Sequence, residues 1–263
     1  RDRINKVVTV TKPDELAEKL GLSVEFSYTG LSYGSEPRYV HGNYAKYDSL
    51  TISGPLGNVD LAVIRYLAGC DAYEDGGIHT DGRLRYLNLY GADIKKTDDG
   101  YNYFNEWGDL NGLRYKIEED NQLPSYLFWD CTQLESLVLP KSLTDINVRV
   151  FKGCSSLKRI AIPGSLKNYD RSSISGSLLD YPLEELVFVG DKTSVSDVGN
   201  PWGQEIGVVF TKQSQLSDYL NQPYLTRSAS TIMAPFKDDA VMESLAEKGE
   251  FFPSEYLEKE SIE

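Results

Sequence analysis

The chain has 263 residues, 40% of them hydrophobic, and its 27 basic against 40 acidic residues give a net charge of −13. That balance disfavours non-specific nucleic-acid binding, because no basic cluster is present to neutralise phosphates, and it opposes docking on anionic lipid. No run of about 18 apolar residues occurs, so no segment reads as membrane-spanning.

Residues 6–11 alternate weakly and are rich in β-branched types, which predicts an edge strand. Residues 13–20 predict a short helix with Leu16 and Leu20 on one face, stopped by Gly21. Strand and helix together predict a cap, which a repeat stack needs over its first coil. Residues 22–47 form an insertion punctuated by Phe26, Tyr28, Tyr33, Tyr39, Tyr44 and Tyr47. Such rings suit either a partner surface or an irregular packed cap. Leu50 and Ile52 predict a further strand. Asn58 then caps a helix lined by Leu61, Ile64, Leu67 and Ala68, which Gly69 ends. The acidic, Gly-rich residues 71–82 lack the ligand spacing of a calcium loop.

Leu84, Leu87 and Leu89 carry the next strand. A second insertion, residues 91–109, sets Tyr101, Tyr103, Phe104 and Trp107 among carboxylates. That mixture holds sugars in many proteins, and it equally describes a loop folded on its own small cluster. Between residues 90 and 122 two registers stand open: Leu113 with Tyr115, or Tyr115 with Ile117, as an inward pair.

A repeat then becomes explicit. Phe128, Cys131, Leu134, Leu137, Leu139 and Pro140 recur 23 positions later as Phe151, Cys154, Leu157, Ile160, Ile162 and Pro163. Leu183, Leu186 and Phe188 follow with three extra residues. In L-x-x-L-x-L the last two leucines share one face of a short strand, and Pro140 ends its ladder because it has no N–H to donate. One coil cannot bury its own leucines, whereas stacked coils can. Tyr47-x-x-Leu50-x-Ile52, Leu84-x-x-Leu87-x-Leu89 and Glu205-x-x-Val208-x-Phe210 extend the pattern to six or seven coils. Residues 213–221 predict a helix with Leu216, Tyr219 and Leu220 inward, followed by Pro223. Residues 238–249 predict a second helix carrying Val241, Leu245 and Ala246. The chain beyond Pro253 reads as an acidic tail open to disorder.

The run FWDCTQLESLVLP, continued by FKGCSSLKRIAIPGSL, resembles the BspA-type bacterial surface leucine-rich repeat, A-F-x-G-C-x-x-L-x-x-I-x-I-P. Gly153-Cys154-Ser155-Ser156-Leu157 fits that pattern closely, and Trp129-Asp130-Cys131 departs from it. The upstream LTISGPLGNVDLAVIRYLAG resembles the helix-containing N-terminal coil of such proteins. The close resemblance covers residues 123–189 and a weaker one about 47–220. It implies an extracellular or cell-surface binding protein. The start at Arg1 fits an expectation that any export signal has been removed. The expected fold is an α/β, β-rich solenoid of short parallel strands. Residues 1–47 would be a cap with its Tyr-rich insertion, 48–211 the leucine-rich repeat, and 212–263 a C-terminal helical cap and tail.

No enzyme signature occurs. His41 and His79 stand on separate loops, and G-x-S-x-G, H-E-x-x-H and phosphate-loop spacings are missing. The expectation is a non-catalytic protein without cofactor or metal. Cys131 and Cys154 occupy equivalent sites and read as buried thiols, with a bridge as the alternative; Cys70 reads as a lone thiol. The two-residue period sets Tyr86, Asn88, Ser136, Val138, Arg159, Ala161, Glu185 and Val187 on the outward strand face. Val138, Ala161 and Val187 should line up as a narrow apolar stripe. That face, with Tyr101, Tyr103 and Trp107, is the expected surface for an extracellular protein or glycan, in an adhesin-like role. A structural or weakly self-associating surface module is the alternative. A carbohydrate-active enzyme is the second alternative, and it would need two carboxyls facing across a cleft.

Overall fold

The computed structural model describes residues 5–28, 35–70, 80–97, 104–105, 114–169, 181–191 and 205–260. The chain opens with β1 (Asn5–Thr9), the one-turn helix α1 (Leu16–Lys19), and an antiparallel hairpin of β2 (Ser23–Tyr28) and β3 (Ser35–His41). β4 (Ser49–Leu56), α2 (Asn58–Leu67), β5 (Tyr86–Asn88) and β6 (Ala92–Ile94) follow. A small antiparallel pair, β7 (Phe104–Asn105) and β8 (Arg114–Tyr115), precedes β9 (Gln122–Leu123), β10 (Ser136–Val138) and β11 (Asp145–Ile146). β12 (Arg159–Pro163), β13 (Asn168–Tyr169), β14 (Leu183–Val189) and β15 (Ile206–Phe210) continue the stack. The chain closes with α3 (Leu216–Leu220), α4 (Pro223–Ser228), β16 (Ala229–Met233), α5 (Asp239–Glu247) and α6 (Pro253–Glu260).

The front wall is one parallel ladder in the order β1-β4-β5-β10-β12-β14-β15-β16. Leu50, Leu87, Leu137, Ile160, Leu186, Val209 and Ile232 stand in register along it. The first six of these are at most 2% exposed. Each coil's aliphatic residues are therefore covered by the coils on either side, as the repeat spacing requires. Behind them a second ladder, β9-β11-β13, steps by 23 residues through Gln122, Asp145 and Asn168. A third wall is held by backbone bonds from the Tyr126, Phe128 and Asp130 amides to the Val148, Val150 and Lys152 carbonyls, each 2.9 Å. Phe128 and Phe151 fill the space between the walls.

Two positions need a left-handed backbone. Gly54 (φ 99°) turns β4 from the front wall to the rear, and a Cβ there would lie 2.0 Å from the Val10 carbonyl oxygen. Gly153 (φ 76°) repeats a turn that Asp130 makes 23 residues earlier with φ 57°. Asp130 thus supplies the conformation where the repeat pattern carries glycine; aspartate tolerates this region better than most side chains.

α2 replaces the third wall in its coil, and nearly all of it is buried. Asn58 is its first helical residue rather than its cap. The Asn58 amide side chain accepts from the Ile117 amide (2.8 Å) and donates to Thr97 (3.0 Å). The helix start is held by two carboxylates instead. Asp60 accepts from the amides of Gly57 (2.9 Å), Asp14 (2.7 Å) and Leu16 (2.9 Å), and Asp14 accepts from the Val59 amide (3.0 Å). These bonds lock the N-terminal cap onto the first helical coil.

Several sequence expectations change. β5 pairs directly with β10, so neither open register supplies a front strand between them, and Leu113 lies outside the described residues. Arg114 and Tyr115 belong to the antiparallel pair instead, and Ile117 is buried against α2. In β15 the inward residue is Val209, not Val208 with Phe210. The 23-residue step from Leu183, Leu186 and Phe188 lands on Ile206, Val209 and Thr211, and again on Ala229, Ile232 and Ala234. β16 therefore carries the ladder past residue 211, the expected end of the repeat. Tyr219 is buried and stacks on Phe188 at 4.3 Å, whereas Leu220 is 49% exposed and Pro223 opens α4. Pro253–Glu260, read from the sequence as the start of a tail open to disorder, is helical.

Candidate recognition face

The outward residues form two neighbouring rows across the front wall. One runs Asn5, Ser49, Tyr86, Ser136, Arg159, Glu185, Val208, Thr231. The next runs Val7, Thr51, Asn88, Val138, Ala161, Val187, Phe210, Met233. All eight outward residues expected from the period lie in these rows, and the stripe of Val138, Ala161 and Val187 is continuous. It is not open to solvent, however. The three are 4%, 1% and 1% exposed, because α5 and α6 fold back across them.

The covering segment makes a second hydrophobic cluster, separate from the interior of the stack. Phe210 joins the stripe from β15, and Met242 and Phe251 close over it. The Tyr90 and Phe251 rings are 4.8 Å apart, and Phe236 meets Tyr256 edge-on at 5.7 Å. Polar ties flank this contact. Arg159 Nη1 lies 2.6 Å from Glu255 Oε1. Glu185 accepts from the Ser254 amide (3.4 Å) and from its hydroxyl. Burial pushes the Glu185 carboxyl up from its ordinary range, against the opposing pull of Ser254 and Arg159. Lys212 Nζ binds Glu243 (2.9 Å) and Asp191 (3.1 Å). The Asp238 side chain caps α5 through the Ala240 amide (2.9 Å).

An open cleft of about 230 Å³ runs along the junction, lined by Val187 and Val189 of the wall and Met242, Leu245 and Phe251 of the cover. A smaller one, about 130 Å³, lies where Phe251 and Phe252 reach Thr51 and Asn88.

Among the described residues no helix crosses the β1–β5 end of the face. Asn5 donates to Thr51 Oγ1 (2.9 Å) and accepts from Ser49 (2.8 Å). Tyr86 and Asn88 are half-buried, and Asn88 accepts from the Tyr90 amide (2.9 Å). The Arg85 guanidinium stands 5.6 Å from the Tyr86 ring centre, and its Nε donates to Glu135 at 2.9 Å. Beside them a polar groove of about 360 Å³ is lined by Tyr86, Glu135, Ser136, Lys158, Arg159, Glu184 and Glu255.

Tyr101, Tyr103 and Trp107 lie outside the described residues, as do Tyr33 and His79. In the first insertion Phe26 and Tyr39 are exposed, Tyr44 packs edge-on against Tyr66 at 4.9 Å, and Tyr47 is buried with its hydroxyl on the Leu20 carbonyl. His41 pairs with Glu25 at 2.9 Å within the hairpin.

The three cysteines are buried free thiols. Cys70 is not alone: its thiol donates to the Asp130 carbonyl (2.7 Å), and contact with the Cys131 thiol pulls its pKa down. Burial pushes Cys131 well up. Cys154 donates to the Phe128 carbonyl (3.0 Å). Arg65 reaches across from α2 to the Leu127 and Trp129 carbonyls, both at 2.8 Å. Among the described residues no cluster suited to a metal ion occurs, and no helix is long and apolar enough to cross a membrane.

Sequence reasoning missed the cover over the stripe. Its signal was the stripe itself, together with Phe210, Met242 and the Phe251-Phe252 pair, which have no place in the repeat interior.

Residues 101–182 match the family described as BspA type leucine rich repeat region. No curated protein matches the chain.

Proposed function

We propose that this chain, which carries a BspA-type leucine-rich repeat region, is a non-catalytic recognition protein of the cell exterior that holds a protein partner on the uncovered end of its front wall. One observation carries the reading: the face is divided. Its β10–β15 part is covered by α5 and α6, while Asn5, Thr51, Tyr86 and Asn88 border an open cleft that only the edge of that cover reaches, and Tyr86 also lines the polar groove. A half-buried tyrosine flanked by a paired arginine is the kind of amphipathic anchor that carries binding energy at protein interfaces. Mixed charges around the groove would set orientation more than affinity.

The test is binding of the chain to immobilised extracellular-matrix proteins and to a glycan array. Tyr86→Ala and Arg85→Glu are expected to weaken a protein interaction at least tenfold with the fold intact. Binding that ignores both changes but falls with Tyr103→Ala and Trp107→Ala would move the site to the second insertion. Retention on glycans alone would replace protein by carbohydrate as the partner.

A further inference from the structure

We propose that the front wall across β10, β12, β14 and β15 is a binding site for an amphipathic, acidic helical segment, and that residues 236–257 are its resident, exchangeable occupant. The proposal concerns the covered end of the wall and stands apart from the reading above. The seat has the features of helix-in-groove recognition: an apolar stripe set by the repeat, flanked by charges of defined position. Val138, Ala161, Val187 and Phe210 take Met242 and Phe251. Arg159 takes a carboxylate, here that of Glu255, and Lys212 takes that of Glu243. Glu185 takes a hydroxyl and an amide, here both from Ser254.

Three observations argue that the occupant can leave without unravelling the stack. Its apolar contacts form their own cluster, on the opposite side of the strands from the repeat interior. Its helices have nine and eight residues, too short to persist in water unless docked. The segment also follows β16, the last rung, so its departure unthreads nothing. An incoming segment with an aromatic residue over Val187, as Phe251 supplies from the turn between α5 and α6, and an acid near Arg159 would make the same contacts.

The experiment uses the whole chain and a fluorescein-labelled synthetic peptide of residues 236–260. Glu255→Arg sets like charges together at Arg159 and loosens the resident segment while leaving the wall unchanged. Labelled peptide is expected to bind this variant at least tenfold more tightly than the unaltered chain. Arg159→Glu alone should likewise loosen the resident segment but favour a peptide carrying Glu255→Arg over the native one, whereas combining it with Glu255→Arg restores the intramolecular pair with reversed charges and should abolish the gain for both peptides. Hydrogen exchange reports whether residues 239–257 are released while β12 and β14 stay protected. Release without peptide binding overturns the proposal. So does a segment that stays protected both in Glu255→Arg and in a Met242→Ala, Phe251→Ala double variant, since the helices would then be a fixed part of the fold.

Discussion

The rings of Phe128 and Phe151 lie 6.0 Å apart and within 5° of parallel, and the two residues are 23 positions apart in the chain. The stacking puts the repeat step directly into the interior. Neither ring is more than 1% exposed, so Phe151→Ala leaves a cavity beneath its neighbour. The expected loss is about 3–5 kcal/mol by urea unfolding, with Phe151→Leu costing clearly less.

The one-residue register of β15 gives a second prediction. Val209 faces the interior and is fully buried, while Val208 faces outward and is only half-buried. Val209→Asn should cost more than about 2 kcal/mol, because the amide has no partner in that interior. Val208→Asn should stay within about 1 kcal/mol. Equal losses at the two positions would remove the assigned register.

Gly153 and Asp130 are coupled across neighbouring turns. A Cβ at Gly153 would meet Asp130 Oδ1 at 2.1 Å and would stand on a left-handed backbone. Gly153→Ala is expected to cost more than about 1 kcal/mol. Combining it with Asp130→Gly removes the carboxylate and should recover part of that loss. The non-additivity is read from a double-mutant cycle by thermal or urea unfolding.

Arg65 is the main polar link between α2 and the first tight coil. Its replacement by Met leaves the buried Leu127 carbonyl and the part-buried Trp129 carbonyl without this donor. A loss of about 3 kcal/mol is expected, with early hydrogen exchange in α2 as the local sign.

Burial raises the Asp60 carboxyl from 3.8 to about 7, despite the three amides that bond to it. The folded state therefore keeps a proton that the unfolded chain releases at lower pH. Stability from this site is full below pH 3.8 and falls as pH rises to about 7, then levels off. Asp60→Asn should remove this slope from a plot of urea midpoint against pH, leaving the remaining acidic groups to set the profile.

The repeat was legible because it rests on a two-residue alternation that only inward positions obey. Leu137, Ile160 and Leu186 could be placed side by side from spacing alone, and their registers agree with it. The register of β15 was misread for a physical reason. Phe210 is large and apolar, but it serves the outer cluster, while Thr211 takes the equivalent of the inward Phe188. β16 escaped notice because Ala229 and Ile232 keep only the weakest form of the motif. The outward rows were likewise readable as rows. Their cover was not, since α5 and α6 reach the stripe from far along the chain and obey no period with it.

The Asn121 amide bonds to the Ile94 carbonyl at 2.8 Å, and Thr97 and Ile117 both bond to the Asn58 side chain, so the chain is anchored on either side of residues 98–116. Because β5 and β10 pair directly, this is a detour from the front ladder whose mouth is closed. Closing a longer detour at a fixed mouth adds only a slowly growing entropy. Foreign sequence spliced between Thr97 and Ile117 should therefore be carried as cargo, making this the natural grafting point of the scaffold.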